Sequence, residues 1–285
     1  LEKLISENIL RRAWIIDIYK LGWTRFNIFF STTLQNSSHK KKLIHSLCIS
    51  ERTAYLSETT GDFDYELAKK KKNAGEVLDF IYSLDKSLDG SFFSKSVSTR
   101  RSMALFPRKY LSSKSPSQDQ LAFGGTEYQV SIDHLDHLIL KEMATDAFAS
   151  LRDISKKISI PVSTIEKRVI KLKRDKVILG AVYSTNPKEY GSENFTLMLF
   201  ARGFNSKLTS GLHRFAKNHP HCTYFIEAFG AWDYELGVEV ENHDQLVQLR
   251  EAIGDQFGDQ LIAIKTLTRL KVHKYNSYPL QTFLG

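Results

Sequence analysis

Apolar positions in the C-terminal part of the chain switch between two spacings in a fixed order. Alternating apolar residues predict four strands, over 195–199, 223–226, 232–240 and 261–272. Apolar residues three or four apart predict one helix after the first strand and another after the third, at Leu208, Leu212 and Phe215 and at Leu246, Leu249 and Ile253. The predicted order is therefore βαββαβ, which is typical of a ferredoxin-like unit with an antiparallel sheet and both helices on one face.

The same pattern occurs once more, earlier in the chain. The segment GDFDYEL at 61–67 returns as GAWDYEL at 230–236, a shift of 169 residues. That shift also pairs identical residues elsewhere with no net insertion: Gly22 with Gly191, Phe26 with Phe195, Tyr55 with Tyr224, and Arg100 with Arg269. A tandem repeat of βαββαβ units is therefore predicted. Because each unit leaves one apolar sheet face uncovered, we expect the units to associate, within the chain or between chains.

A different pattern separates the two units. Residues 112–130 begin with a stretch rich in Ser, Gly and Gln and predict a linker. Beyond it the apolar spacing becomes helical, and three helices are predicted from their core residues: Leu135, Leu138 and Ile139; Leu151, Ile154 and Ile158; Ile165, Val169 and Leu172. Two short helices, a tight turn, a longer third helix and a strand together predict a winged helix-turn-helix over 131–183.

The third helix carries hydrogen-bond donors outside its core stripe. These are Ser163, Thr164, Lys167, Arg168, Lys171 and Arg174. The whole chain has a formal net charge of +8, and nine Lys and Arg stand against three acids between 152 and 176. Such a run is commonly only a solvated helix face. In a helix-turn-helix, however, short hydroxyls followed by long cations suit base edges and phosphates in a major groove. We therefore predict that these six residues contact double-stranded DNA.

Several segments of this region carry a family resemblance: LDHLIL at 135–140, ISKKI at 154–158, and STIEKRVIKL at 163–172, followed by Val177 and Ile178. Together they resemble the DNA-binding domain of the Lrp/AsnC (feast/famine) transcription regulators. The βαββαβ unit that follows, with its Gly-x-x-Asp-Tyr turn, is similar to the effector-sensing RAM domain of that family. The resemblance implies an α+β protein, with the winged helix-turn-helix between ferredoxin-like RAM domains at 11–111 and 184–285. The sequence departs from the family pattern at Ser159, Pro161 and Lys176.

The repeated turn is the second candidate site. Gly61 and Gly230 are explained by hairpin geometry with positive φ, and Asp64 and Asp233 by capping of their own backbone. The resemblance implies more, because an amino acid or similar small molecule binds beside this turn, at the contact between RAM domains, in this family. A zwitterion needs backbone N–H groups for its carboxylate and an acid for its ammonium group. The two aspartates would be that acid, with the second copy favoured.

The beginning of the chain looks like part of a further domain. Leu1, Leu4, Asn8 and Ile9 resemble the end of a recognition helix, its cap and the first wing strand. The resemblance therefore implies an upstream winged helix-turn-helix, of which residues 1–10 are a remnant.

Two lysines break the repeat. Lys69 and Lys71 take the places of Val238 and Val240 on the same strand. We interpret them as a strand-end pair whose ammonium groups reach solvent. The alternative is a charged patch for DNA or an anionic ligand.

Composition and motifs disfavour several other classes of protein. Cys48 and Cys222 stand far apart, which predicts neither a disulfide framework nor a zinc site and favours a reducing, cytoplasmic setting. The longest apolar runs, 26–30 and 197–200, are much shorter than the roughly 18 residues of a membrane span. There is no Gly-rich phosphate loop, nucleophile elbow or paired-acid motif, and the histidines are scattered. No cofactor, metal site or catalytic residue is therefore predicted.

The sequence thus predicts a cytoplasmic, sequence-specific DNA-binding transcription regulator, modulated by an amino acid or another small effector, rather than an enzyme. Two alternatives stay open. Siroheme decarboxylases resemble Lrp/AsnC proteins in fold, but their His-rich tetrapyrrole contacts have no counterpart in 224–236. A RAM sensor that binds small molecules without DNA fits the first copy better than the whole chain.

Overall fold

The computed structural model describes the chain except for residues 1, 7–9, 35, 51–52, 72, 112–119, 126–127, 204 and 279–285. The helices are α1 (Glu2–Ser6), α2 (Ser37–Ile49), α3 (Ala74–Ser87), α4 (His134–Thr145), α5 (Leu151–Ile158), α6 (Val162–Arg174), α7 (Ser206–Asn218) and α8 (His243–Phe257). The strands are β1 (Leu10–Ile16), β2 (Thr24–Thr32), β3 (Thr53–Thr60), β4 (Tyr65–Lys71), β5 (Phe92–Leu105), β6 (Leu121–Gly124), β7 (Ile178–Thr185), β8 (Glu193–Ala201), β9 (Cys222–Gly230), β10 (Tyr234–Val240) and β11 (Leu261–Tyr275).

The two predicted βαββαβ units are confirmed. The first runs β2-α2-β3-β4-α3-β5, and the second runs β8-α7-β9-β10-α8-β11. In each unit, alternate strand residues bury one sheet face against the apolar stripes of the two helices. Ile28 and Leu56 lie at the centre of the first core, and Leu197 and Leu236 at the centre of the second. Both cores follow from the local spacing of apolar residues.

Strand pairing between the two units closes their sheets into one barrel. Strand β3 pairs antiparallel with β11, and β5 pairs with both β9 and β2, so the order β2-β4-β3-β11-β8-β10-β9-β5 returns to its start. The remaining sheet faces meet inside, where the Phe29 ring lies 4.7 Å from Trp232 and 5.8 Å from Phe63, centroid to centroid. The apolar faces that the sequence predicts to be uncovered in a single unit thus cover each other within one chain.

The winged helix-turn-helix is formed by α4, α5, α6 and β7. Reciprocal capping boxes start α4, with Asp133 and Asp136, and α5, with Ser150 and Asp153. Isoleucines and leucines of the three helices are buried against one another (Ile139, Leu140, Ile154, Ile165 and Leu172). Two of the residues that depart from the family pattern, Ser159 and Lys176, take left-handed φ values of 57° and 55°. These conformations are ones that glycine adopts without strain.

The wing is built from the two strands that precede the two βαββαβ units, β1 before the first and β7 before the second. Strand β1 pairs antiparallel with β7 from Leu10 opposite Thr185 to Ile16 opposite Ile178. Ile16 and Ile18 are buried in the core of the helix-turn-helix, beside Ile139. The segment interpreted as the remnant of an upstream domain therefore leads into a strand of this wing. Within the predicted linker, residues 121–124 form β6, which pairs with the end of β5. No helix of the described residues is long and apolar enough to cross a membrane.

Candidate functional site

The outer face of α6 presents a line of exposed side chains. Ser163, Lys167 and Arg174, which the sequence predicts as DNA contacts, are all exposed on it. Ile165, Val169 and Leu172 are buried on the opposite side of the helix, against α4 and α5. Because the buried residues hold α6 to the domain, its outer face is presented as one rigid surface.

Two other predicted DNA contacts already have partners within the domain. The guanidinium group of Arg168 donates to the carboxylates of Asp133 and Asp136, with an Nη1–Oδ1 distance of 3.2 Å to Asp136. The ammonium group of Lys171 lies 3.9 Å from the Asp136 carboxylate. The hydrogen bond to Asp133 raises the pKa of Arg168. Both side chains therefore fasten α6 to the start of α4, and both stay half-buried, as does Thr164.

Two exposed residues of α6 were missed by sequence reasoning. Ile170 is 60% exposed in the middle of the outer face, although it is apolar. Lys173 is exposed beside it, with its ammonium 5.6 Å from the centroid of the Trp14 ring in β1. The sequence could have indicated the exposure of Ile170, because this residue lies outside the apolar stripe formed by Ile165, Val169 and Leu172.

The two Gly-x-x-Asp turns each lie against a strand of the other RAM domain. Gly61 has φ of 125°, and a Cβ on it would lie 3.1 Å from the carbonyl oxygen of Thr266 in β11. Gly230 has φ of 126°, and a Cβ there would lie 2.5 Å from the carbonyl oxygen of Val97 in β5. Both glycines are required by backbone conformation and by close approach. The turns therefore lie at RAM contacts, as expected, but at contacts inside one chain.

The aspartates of these turns hold neighbouring strand ends. The Asp64 carboxylate accepts a hydrogen bond from the backbone N–H of Thr32 at 3.2 Å. The Asp233 carboxylate accepts one from the backbone N–H of Ala201 at 2.7 Å. A groove of about 850 Å³ opens beside Gly61, and its lining includes Arg250 and Glu251 of α8. These are groups of both charges next to one of the predicted effector turns.

A buried charge network crosses the barrel between the two RAM domains. The Arg100 guanidinium lies 2.9 Å from Glu66 of its own unit and 2.6 Å from Glu235 of the other. Arg269, the repeat partner of Arg100, lies 3.7 Å from Glu66. Burial alone would raise the pKa of Glu66, but Arg100 and the arginines beyond it outweigh burial and lower that pKa. All four residues lie in repeated segments that the sequence reveals. The sequence does not show that they lie close together in the structure.

Comparisons with known proteins agree on the class. The winged helix-turn-helix DNA-binding family matches residues 132–178. The chain is 28% identical to the HTH-type transcriptional regulator FL11 of Pyrococcus horikoshii over 148 residues, 51% of this chain and 94% of that protein. It is 30% identical to an uncharacterised HTH-type transcriptional regulator of Pyrococcus furiosus over 104 residues, 36% of this chain and 69% of the relative. The chain belongs to the Lrp/AsnC family of winged helix-turn-helix regulators, as its sequence pattern predicts.

A solved structure matches the tandem arrangement. The siroheme decarboxylase NirDL aligns with a TM-score of 0.62 over 96% of this chain and 80% of that chain, at 12% sequence identity. At this identity the likeness is one of fold alone.

Proposed function

We propose that this protein is a DNA-binding transcription regulator of the Lrp/AsnC type, acting in the cytoplasm, in which α6 enters the major groove. The observation that carries the proposal is the exposed face of α6. Ser163 stands at its start, Lys167 and Arg174 follow at one-turn and three-turn distances, and Ile170 lies between them. Hydroxyl and guanidinium groups suit base edges and phosphates, and an exposed isoleucine suits a thymine methyl group.

Five of the six predicted residues then divide into two roles, and the half-buried Thr164 is assigned to neither. Ser163, Lys167 and Arg174 contact DNA directly. Arg168 and Lys171, which pair with acids at the start of α4, hold the recognition helix at its angle and contact phosphate only with their remaining donors.

Selection from random duplex DNA, followed by fluorescence anisotropy at several salt concentrations, tests this function. Lys167→Ala and Arg174→Ala should each weaken binding and reduce the salt slope by roughly one unit, because each removes one phosphate contact. Lys207→Ala is the matched control, since Lys207 is an exposed cation of α7 in the second RAM domain. If the α6 variants bind the selected site as tightly as the parent, α6 does not recognise DNA.

We further propose that an amino acid binds at a RAM contact beside one of the repeated turns, with Asp64 or Asp233 facing its ammonium group. The contact between the units at Gly61 and Gly230 and the groove lined by Arg250 and Glu251 support this proposal. Calorimetry with a panel of amino acids on Asp64→Ala and Asp233→Ala tests it. The affected site should lose about 1.5–3 kcal/mol of binding free energy. If neither substitution changes the affinity for the amino acid, the two aspartates do not belong to the effector site.

We infer that the chain regulates rather than catalyses. In support, the relatives that the chain matches at 28% and 30% identity are HTH-type transcriptional regulators. Incubation with siroheme under reducing conditions, followed by mass spectrometry, tests the decarboxylase alternative. Loss of carbon dioxide from the tetrapyrrole would overturn this inference.

A further inference from the structure

A large cavity lies between the β1–β7 wing and the mouth of the barrel. Its volume is about 1230 Å³, well above the space that one amino acid needs. One wall comes from the wing, including Arg12, and the other from barrel strands, including Arg25, Arg100 and Arg269. The cavity is separate from the outer face of α6 and from the turns at Gly61 and Gly230.

The charge of the lining is strongly unbalanced. Eight of the lining residues are Lys or Arg and three are Glu. Two of those glutamates are already paired, Glu66 with Arg100 and Glu239 with Arg108, at 2.9 and 2.6 Å. Among the described residues, no carboxylate lies within 4.0 Å of the Arg12 or Arg25 guanidinium group. Cations held next to one another without counter-charges raise the free energy of the folded chain.

Unsatisfied donors occur on both walls. The Nε atoms of Arg12, Arg100 and Arg269 are buried and have no hydrogen-bond partner among the described residues. Leaving a buried donor unpaired costs about 1–3 kcal/mol. Arg25 adds a half-buried guanidinium, which donates to Asn27 at 3.1 Å. Burial, together with nearness to Arg100, lowers the pKa of Arg25.

Aromatic rings lie against three of these guanidinium groups, and that of Arg12 is 5.0 Å from the Trp14 ring centroid. The centroid of the Tyr55 ring lies 5.6 Å from the guanidinium carbon of Arg25 and 5.9 Å from that of Arg269. Arg269 also lies 5.9 Å from the Tyr224 ring. The terminal N–H groups of Arg269 already donate to Asn194, Thr196 and Tyr224. Among the described residues, Arg25 donates from Nε to Asn27, so its terminal N–H groups remain for a planar oxyanion, which a guanidinium binds with two parallel hydrogen bonds. Apolar side chains such as Leu105 and Leu121 complete the lining.

We propose that this cavity is a binding site for a small polycarboxylate anion, whose carboxylates pair with Arg12 and Arg25. The arginines supply two-point recognition of planar carboxylates from opposite walls, and the apolar residues accommodate the carbon skeleton. The site is one per chain, because the wing lies against a single mouth of the barrel. Since β7 follows α6 directly, the anion would bind next to the domain that carries the DNA-contacting helix.

Calorimetry on the full chain without DNA tests the site with named probes. Citrate represents compact polycarboxylates, acetate tests whether a single carboxylate suffices, and leucine tests whether a zwitterion suffices. We expect saturable binding of citrate with one site per chain, and none of leucine in this cavity. Arg25→Met should weaken that binding by roughly tenfold to a hundredfold, the loss of one charge-assisted hydrogen bond. Arg202→Met, at an exposed arginine outside the cavity, is the control.

A second readout separates binding from folding. Without ligand, Arg25→Met should unfold at the same temperature as the parent or a few degrees higher, because it removes a half-buried cation that is repelled by Arg100 and that has no carboxylate within 4.0 Å among the described residues. Saturating polycarboxylate should raise the unfolding temperature of the parent more than that of the variant. Lys167→Ala, which tests DNA contact, should bind the polycarboxylate like the parent. The proposal is overturned if citrate does not bind at millimolar concentration, or if Arg25→Met and Arg202→Met reduce binding equally.

Discussion

Replacing Arg100 by methionine should destabilise the barrel far more than the same change at its neighbour. Arg100 is 4% exposed and lies between Glu66 and Glu235, one from each RAM domain. Methionine fills a similar volume but leaves both buried carboxylates without their main counter-charge. Arg101, the next residue of β5, pairs with Glu227 of the second unit at 2.6 Å, but its side chain is 67% exposed.

The size of the expected loss of stability depends on the interactions that the two carboxylates retain. Glu66 retains Asn27 at 2.5 Å and Arg269 at 3.7 Å, whereas Glu235 retains the indole N–H of Trp232 at 3.2 Å. Breaking a buried ion pair by removing one partner typically costs 3–5 kcal/mol, so we expect a loss of about 4 kcal/mol for Arg100→Met. An exposed pair contributes about 0–1 kcal/mol, which is the loss expected for Arg101→Met.

Urea unfolding followed by tryptophan fluorescence measures both losses, since urea, unlike guanidinium, does not screen charges. The pH dependence gives an independent check. In the parent the pKa of Glu66 is lowered, so its contribution to stability is present above the unfolded-state pKa and is lost as the pH falls through the folded-state pKa. In Arg100→Met, the guanidinium group no longer opposes the effect of burial, so the folded-state pKa of Glu66 rises. Acidification then protonates Glu66, and the variant regains part of the stability that it lacks at neutral pH. The gap between parent and variant should therefore narrow from pH 7 towards about pH 4.5.

Equal losses for the two variants would refute the reasoning, because they would mean that burial of the pair does not matter. A large loss for Arg100→Met that stays constant with pH would assign the effect to packing rather than to the stranded carboxylates.

Three further predictions concern single positions. Gly237→Ala should prevent stable folding, because its Cβ would lie 2.0 Å from the Tyr224 ring. By contrast, a Cβ on Gly254 would have no atom within 4 Å, so Gly254→Ala should raise the free energy of unfolding, measured by thermal unfolding, by up to about 1 kcal/mol. Ile170→Ala should weaken binding to selected DNA without moving the unfolding midpoint, and unchanged affinity would remove Ile170 from the interface. Lys176→Gly should stabilise the chain by about 0.5–1 kcal/mol in urea, because it relieves a left-handed φ of 55°, and a loss of stability would contradict that origin.

The order of helices and strands could be predicted because the spacing of apolar residues is a local property. Ile165, Val169 and Leu172 define the buried side of α6 by their spacing alone, and the structure buries all three. The same spacing could not show which polar side chains of α6 remain exposed. Arg168 is turned to the start of α4 by Asp133 and Asp136, more than thirty residues earlier in the chain.

Pairing over long distances could not be predicted in the same way. The interpretation of Lys69 as a solvent-reaching strand end is wrong, since the side chain is 1% exposed and its ammonium donates to Thr53 at 2.9 Å. A hydroxyl on the neighbouring strand and the ring of Phe80, 4.1 Å away, replace water around this ammonium. Likewise, β1 pairs with β7 and β3 pairs with β11, and these pairings depend on how the two units pack together rather than on the local sequence.

Closure of the barrel within one chain determines how pairing of the two RAM domains depends on protein concentration. Two RAM domains on separate chains would meet by a bimolecular encounter, so the fraction paired would fall on dilution. Here β5 and β11 belong to one polypeptide, and closure is a unimolecular step whose equilibrium is independent of concentration. The two halves are also separate segments of one sequence, so a substitution in one half is not repeated in the other, and Lys69 stands where the second copy has Val238.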